Sequence, residues 1–170
     1  MADLTAEQTA LLAARVAEPD LLGLPDWQVA DRLNAPDPAL PRAWNRVAIK
    51  EARSVFRRSF KPGSDFESPG GPTSALVALK DAAADAGHPV RNVARAAIEL
   101  FSDEDGVIDA TDAEERDLVL ALLGALQLGG ILTEPAKQRI EAMMQRPQSW
   151  AEDHGMEVDA RAVGLARGGV

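Results

Sequence analysis

The chain contains no cysteine, which excludes disulfides, thiolate metal sites and cysteine nucleophiles. It contains no tyrosine, and aromatic residues make up only 4% of its 170 residues, too few for an extended base-stacking platform. No apolar run approaches the roughly 18 to 20 residues that a membrane span needs. The opening MADLTAEQTALLAARVAEPD has early acids and no basic stretch, so no secretory signal is expected there. Absent cysteine also fits a cytoplasmic setting. Histidine occurs twice: His88 lies in a Gly-His-Pro turn and His154 just before Gly155, at an expected helix C-terminus. The sequence has no HExxH, no GxSxG and no glycine-rich phosphate loop, and Gly70-Gly71-Pro72 lacks the lysine and spacing of one. No catalytic residue, cofactor or small-molecule substrate is expected.

What is present favours helix. Alanine, leucine and valine supply most of the 46% apolar content, and period-two alternation never persists. Thr5 with Gln8 forms a capping box ahead of a helix that buries Leu11, Leu12 and Val16 and stops at Pro19. Asp26 opens a second helix with Trp27, Ala30 and Leu33 at core spacing. Pro36, Pro38 and Pro41 form a rigid connector. Residues 41 to 60 read as a third helix, burying Ile49, Ala52, Phe56 and Phe60. The Pro/Gly-rich stretch 62–73 is the strongest loop signal and the expected domain boundary.

Beyond it the spacing predicts a helix over 74–86 with Leu76, Val77, Leu79 and Ala83 inward, and another over 90–101 burying Val93, Ala94, Ala97, Ile98 and Phe101. Thr111 with Glu114 reads as a second capping box, opening a helix with Leu118, Leu122, Leu123 and Leu126 that ends at Gly129-Gly130. Thr133 caps a helix with Pro135 in its first turn and Ile140, Met143 and Met144 inward. Ser149 with Glu152, then Asp159, start two short closing helices. The expected fold is all-α: a compact bundle of short capped helices over 74–170, preceded by an N-terminal helical arm over 1–61.

Charge is segregated. Arg42, Arg46, Lys50, Arg53, Arg57, Arg58 and Lys61 stand against Glu51 alone, a local +6 in a chain of net −9, which leaves −15 for the rest. At steps near three and four, most of these cations fall on one face of the expected helix. The segment 102–117, with Asp103, Glu104, Asp105 and Asp109 at its head, sums to −7. The two could pair within the fold, pair between copies, or remain separately solvated, and weak surface ion pairs would set register more than affinity. The cations could instead follow nucleic-acid phosphates. Trp44, near the head of the run, is expected in the core.

Residues 103–112 imitate the middle of an EF-hand loop, but placing Gly106 at the loop's sixth position puts Phe101 at the first ligand position and Asp112 where a glutamate is usual. A solvated acidic loop ahead of a helix N-terminus accounts for the same residues. No metal ligand set is assigned, and a Ca²⁺ module stands only as a third reading.

Ile108-Asp109, the leucine helix, Gly129-Gly130-Ile131-Leu132-Thr133, Ser149-Trp150-Ala151-Glu152 with Gly155, and Val163 to Ala166-Arg167 follow one another as a series of turn and cap signals. With Ala30 to Asn34 near the start, this order resembles a family of small virion-associated proteins of tailed bacteriophages. Trp150 stands where arginine is more usual, and the closing motif is one residue shorter than the pattern. The resemblance implies a virion or assembly part and no catalytic residue. The expected function is a non-enzymatic structural adaptor at the neck, tail tip or fibre attachment. Its partners would be other virion proteins and further copies, located in the virion and in host cytoplasm during assembly. The alternative is a nucleic-acid-associated regulator or packaging factor using the basic 42–61 segment.

Overall fold

A computed structural model describes residues 4–64, 72–103 and 105–168. Among the described residues it is mostly helical, with nine helices and six short strands, so the all-α expectation holds for the bulk of the chain and fails locally. The chain divides into two compact units, 1–43 with 147–170 and 44–146. The expected boundary at 62–73 lies inside the second unit. Strands β2 (Ala43–Trp44) and β5 (Gln145–Arg146) lie where the chain passes from one unit to the other.

The first unit joins the two ends of the sequence. It contains α1 (Ala6–Val16), α2 (Asp26–Asn34), α8 (Trp150–Asp153) and α9 (Ala160–Ala166). Strand β1 (Pro36–Asp37) pairs antiparallel with β6 (Gln148–Ser149). Both halves of the Thr5–Gln8 capping box form, and the Gln8 amide goes on to donate to the Gly155 carbonyl at 2.9 Å. Leu12, Val16, Val29 and Leu33 are too few to close a core by themselves, and they meet Ala151, Met156, Val158 and Val163 from the far end of the chain. The Asn34 amide donates to the Val158 carbonyl at 2.6 Å. Arg167 donates to the Asp26 carboxylate and to the Leu21 and Leu24 carbonyls. Of the expected N-terminal arm over 1–61, residues 1–43 therefore belong to a unit that the segment 147–170 completes, and 44–61 belong to the second unit. Trp27 departs from its expected core place and is 58% exposed, while Val29 takes the inward position.

The second unit contains α3 (Ile49–Arg58), α4 (Ala75–Ala84), α5 (Arg91–Leu100), α6 (Ala113–Leu128) and α7 (Glu134–Met143). The expected helix from Pro41 is corrected here. Residues 46–48 form β3 (Arg46–Ala48), paired antiparallel with β4 (Val107–Asp109) in the register Arg46 to Asp109, Val47 to Ile108 and Ala48 to Val107. Helix α3 begins only at Ile49, whose amide donates to the Gly106 carbonyl at 3.0 Å. A methyl on Gly106 would stand 2.8 Å from the Ile49 side chain. Close packing thus accounts for the glycine that made this loop look like an EF-hand.

The core of this unit gathers Phe56, Leu79, Ile108, Leu123, Leu126, Ile131, Leu132, Ile140 and Met144, all essentially inaccessible, each contributing roughly 1.5 to 3 kcal/mol on burial. The Phe56 and Phe101 rings meet at 5.2 Å with a 52° tilt. Several inward assignments shift around their helices. In α4, Ala75, Ala78, Leu79 and Ala82 are buried and Val77 is exposed. In α6, Val119, Leu123 and Leu126 are buried and Leu118 is 56% exposed. The cap of α6 is Asp112, whose carboxylate accepts from the Glu114 and Glu115 amides, and not the expected Thr111. At its other end Gly130 adopts φ +69°. Ile131 donates to Leu126 and Gly130 to Gln127, the paired bonds of a Schellman turn.

Candidate functional site

The cations expected to share one helical face are dispersed by the fold. Arg42 is exposed, outside any helix or strand, and belongs to the first unit. Arg46 projects from β3 and binds Asp109, its register partner on β4, through Nε at 2.7 Å and the neighbouring guanidinium nitrogen at 2.6 Å. Lys50, Arg53, Arg57 and Arg58 remain together on α3, and Lys61 follows just beyond its end.

Helix α3 is sharply two-sided. Ile49, Ala52, Val55 and Phe56 are buried, whereas Lys50, Glu51, Arg57 and Arg58 are exposed and Arg53 is half-buried. Phe60, expected inside, is 47% exposed because the helix ends at Arg58 and the chain turns into an extended path. Arg53 and Arg57 are engaged by partners. Among the described residues, Lys50, Arg58, Lys61 and Arg139 take part in no ion pair. Arg57 and Arg58 also occupy the last turn of α3, where the helix dipole favours positive charge.

The acidic segment is largely used locally. Asp109 accepts from Arg46 and, in a short contact, from the Thr111 hydroxyl. The Arg46 guanidinium first, and the Thr111 hydroxyl second, hold the Asp109 carboxyl well below the usual range, at about 2; reciprocally, Asp109 raises the pKa of Arg46. Glu115 accepts from the Asp109 amide, Asp112 caps α6 and Asp117 meets Arg116 at 3.2 Å. Asp103 accepts from the Asp105 amide, and both residues are exposed; Glu104 lies outside the described residues. So the opposite charges do meet within the chain at Arg46 and Asp109, and most of the other described acids of the segment serve their own loop and helix. Phe101, which would have to be the first ligand of an EF-hand, is buried. Among the described residues no group of three or more acids or histidines is placed to hold a metal ion.

A further arrangement was not legible in the sequence. The end of α3, the residues 59–64 after it and the start of α7 border an open surface cavity of about 440 Å³. Arg58, Lys61 and Arg139 line it, together with Ser59, Ser64 and Thr133, and no acid is among its described lining residues. The segment is held in place at its base. Lys61 donates its amide to the Thr73 carbonyl at 2.8 Å, Thr73 donates to the Ser64 hydroxyl at 3.1 Å, and Phe60 bridges to Ser74. The rest of the expected loop, residues 65–71, lies outside the described residues. Arg139 is 78 positions beyond Lys61 in sequence, so only the packing of α3 on α7 brings them to one cavity. A smaller cavity of about 230 Å³ also has Lys61 in its lining, together with Asp81, Asp85 and His88 among others.

The remaining candidates are structural. Trp44 is half-buried, and the Arg116 guanidinium lies 5.1 Å from its ring centre, a contact of about 0.5 to 1 kcal/mol at an accessible site. The His154 ring stacks on Trp150 at 4.4 Å, and its Nδ1 lies 2.9 Å from the Trp150 carbonyl. His88 lies in the turn before α5. Among the described residues no helix is long and apolar enough to cross a membrane. Comparison with protein-family models, with curated proteins and with solved structures returns no match.

Proposed function

We propose that this chain is a non-enzymatic structural or adaptor protein of a tailed-bacteriophage virion, placed at the neck, the tail tip or a fibre attachment. In this role it docks onto neighbouring virion proteins through the outer face of α3. The observation that carries the reading is the division of that helix. Four apolar residues anchor it, and a face bearing Lys50, Arg57 and Arg58 is turned to solvent in a chain of net −9. A cationic face on an acidic protein steers encounter with an acidic neighbour and penalises wrong registers. The virion setting rests on the resemblance of the order of turn and cap motifs to small tailed-phage proteins.

Quantitative mass spectrometry of purified phage particles tests it: the chain should be present in a fixed small number of copies. Lys50→Glu should lower incorporation while leaving the melting temperature unchanged, because that side chain is exposed. Absence from particles sinks the reading. The nucleic-acid alternative draws on the same exposed cations. It requires duplex binding that is steeply salt-dependent and is lost when Arg53→Glu and Arg57→Glu are combined.

A further inference from the structure

We infer that the cavity between the end of α3 and the start of α7 binds a tetrahedral phosphate-type oxyanion. Arg58 and Lys61, on the continuous stretch 58–64, and Arg139, on α7, come to it, with no acid among its described lining residues. None of the three forms an ion pair among the described residues. Like charges on one cavity wall repel, and in a protein of net −9 nothing in the overall charge calls for such a gathering. An anion turns that repulsion into attraction.

The side chains, and not the helix terminus, carry the recognition. Pro135 has no amide proton, and the Ala136 amide already donates to the Thr133 hydroxyl. Glu134, on the same turn, is engaged by Lys137 at 3.5 Å and by the Gln138 amide at 3.1 Å. The Ser64 hydroxyl is occupied in closing the loop base. Among the described lining residues, what remains is two guanidinium forks and an ammonium. Forks donate paired hydrogen bonds to adjacent oxygens of one oxyanion, and three positive charges match a dianion better than chloride or a monocarboxylate. Lys61 also borders the cavity lined by Asp81 and Asp85, so the test rests on Arg58 and Arg139. The volume of about 440 Å³ exceeds a bare phosphate, which leaves room for a phosphomonoester or for one phosphate of a nucleic-acid backbone.

This inference stands apart from the virion reading, because it is tested on the purified full-length chain. Inorganic phosphate is titrated against the protein at fixed pH and ionic strength, with chloride and acetate as replacements, following the melting temperature and the heat of binding. A saturable stabilisation by phosphate alone is expected. Arg58→Gln and Arg139→Gln should each weaken it about tenfold, and Lys50→Gln, on α3 away from the cavity lining, should leave it unchanged. A fluorescent DNA duplex then identifies the source. Duplex binding lost in the same two variants makes the backbone phosphate the ligand, and phosphate binding without duplex binding makes it a small phosphomonoester. Equal stabilisation by phosphate, acetate and chloride overturns the inference, and so does a phosphate response that survives both variants intact.

Discussion

Replacing Gly129 by alanine should destabilise the second unit, and trimming Val90 should remove most of the penalty. Gly129 follows α6 with φ −77° and ψ 3°, a conformation open to any residue. The left-handed position of the turn belongs to Gly130. The reason for glycine at 129 is therefore spatial: an added methyl would stand 2.6 Å and 2.8 Å from the two γ-carbons of Val90. Val90 is β-branched and sits at the start of α5, so it has few rotamers with which to retreat. Overpacking of this kind costs about 1 to 3 kcal/mol. Against that, replacing glycine at a compatible angle lowers the entropy of the unfolded chain, contributing about 0.4 to 1 kcal/mol. The net loss for Gly129→Ala is then about 1.5 kcal/mol. Val90→Ala removes two half-buried methyl groups and costs about 1 kcal/mol. In the double variant the Val90 clash is gone and only the milder 3.1 Å approach to the Ala125 carbonyl remains, so with the entropic gain set against the lost methyls it should be more stable than either single variant. The coupling is about 2 kcal/mol, far above the few tenths expected of independent sites. Urea denaturation followed by circular dichroism measures all four proteins, with similar slopes required for the comparison. Additive losses would show that the glycine is not explained by Val90.

Two further outcomes follow from the loop between β4 and α6. Asp109 titrates at about 2 in the folded chain, below the ordinary value near 3.9. Its contribution is therefore complete above about pH 4 and is lost as pH falls through about 2. Asp109→Asn should flatten the fall in melting temperature over that window, and an unchanged acid limb would remove the Arg46 pair from the account. Asp112→Ala, which uncaps α6, should cost about 1 kcal/mol at neutral pH. Thr111→Ala should cost clearly less and shift the Asp109 acid transition upward, because its hydroxyl serves that carboxylate; chemical denaturation at two pH values would expose the reverse order.

Signals confined to a few neighbouring residues were legible in the sequence. The Thr5–Gln8 box, the caps at Thr133, Ser149 and Asp159, and the stops at Gly130 and Gly155 all formed, because each depends on hydrogen bonds spanning three to five positions. Residues 46–48 were misread because a strand is decided by its partner, and that partner is 107–109. The α6 cap slipped by one position because Thr111 and Asp112 are both capable, and Asp109 takes the threonine hydroxyl. Periodicity places Leu118 and Val77 inward because α4 and α6 are apolar nearly all round, which leaves it little contrast to report. The first unit was invisible for a plainer reason: its core joins Leu12 and Leu33 to Val158 and Val163, and no local pattern encodes a meeting of chain ends.

The same contrast between local and distant reshapes the functional argument. A run of seven cations in sequence suggested one surface, but the fold gives them different roles. Arg46 is matched to Asp109, Lys50 and Arg57 lie on the open face of α3, and Lys61 joins Arg139 at the cavity. Arg58 belongs to both the face and the cavity lining. Lys50 and Arg139 are consequently the informative positions, since each reports on one surface alone. Lys50→Glu should impair docking of a protein partner without altering the response to phosphate, and Arg139→Gln should do the opposite. If either substitution abolished both behaviours, the face and the cavity would have to act as a single anion-binding surface, and the division of roles among these cations would be wrong.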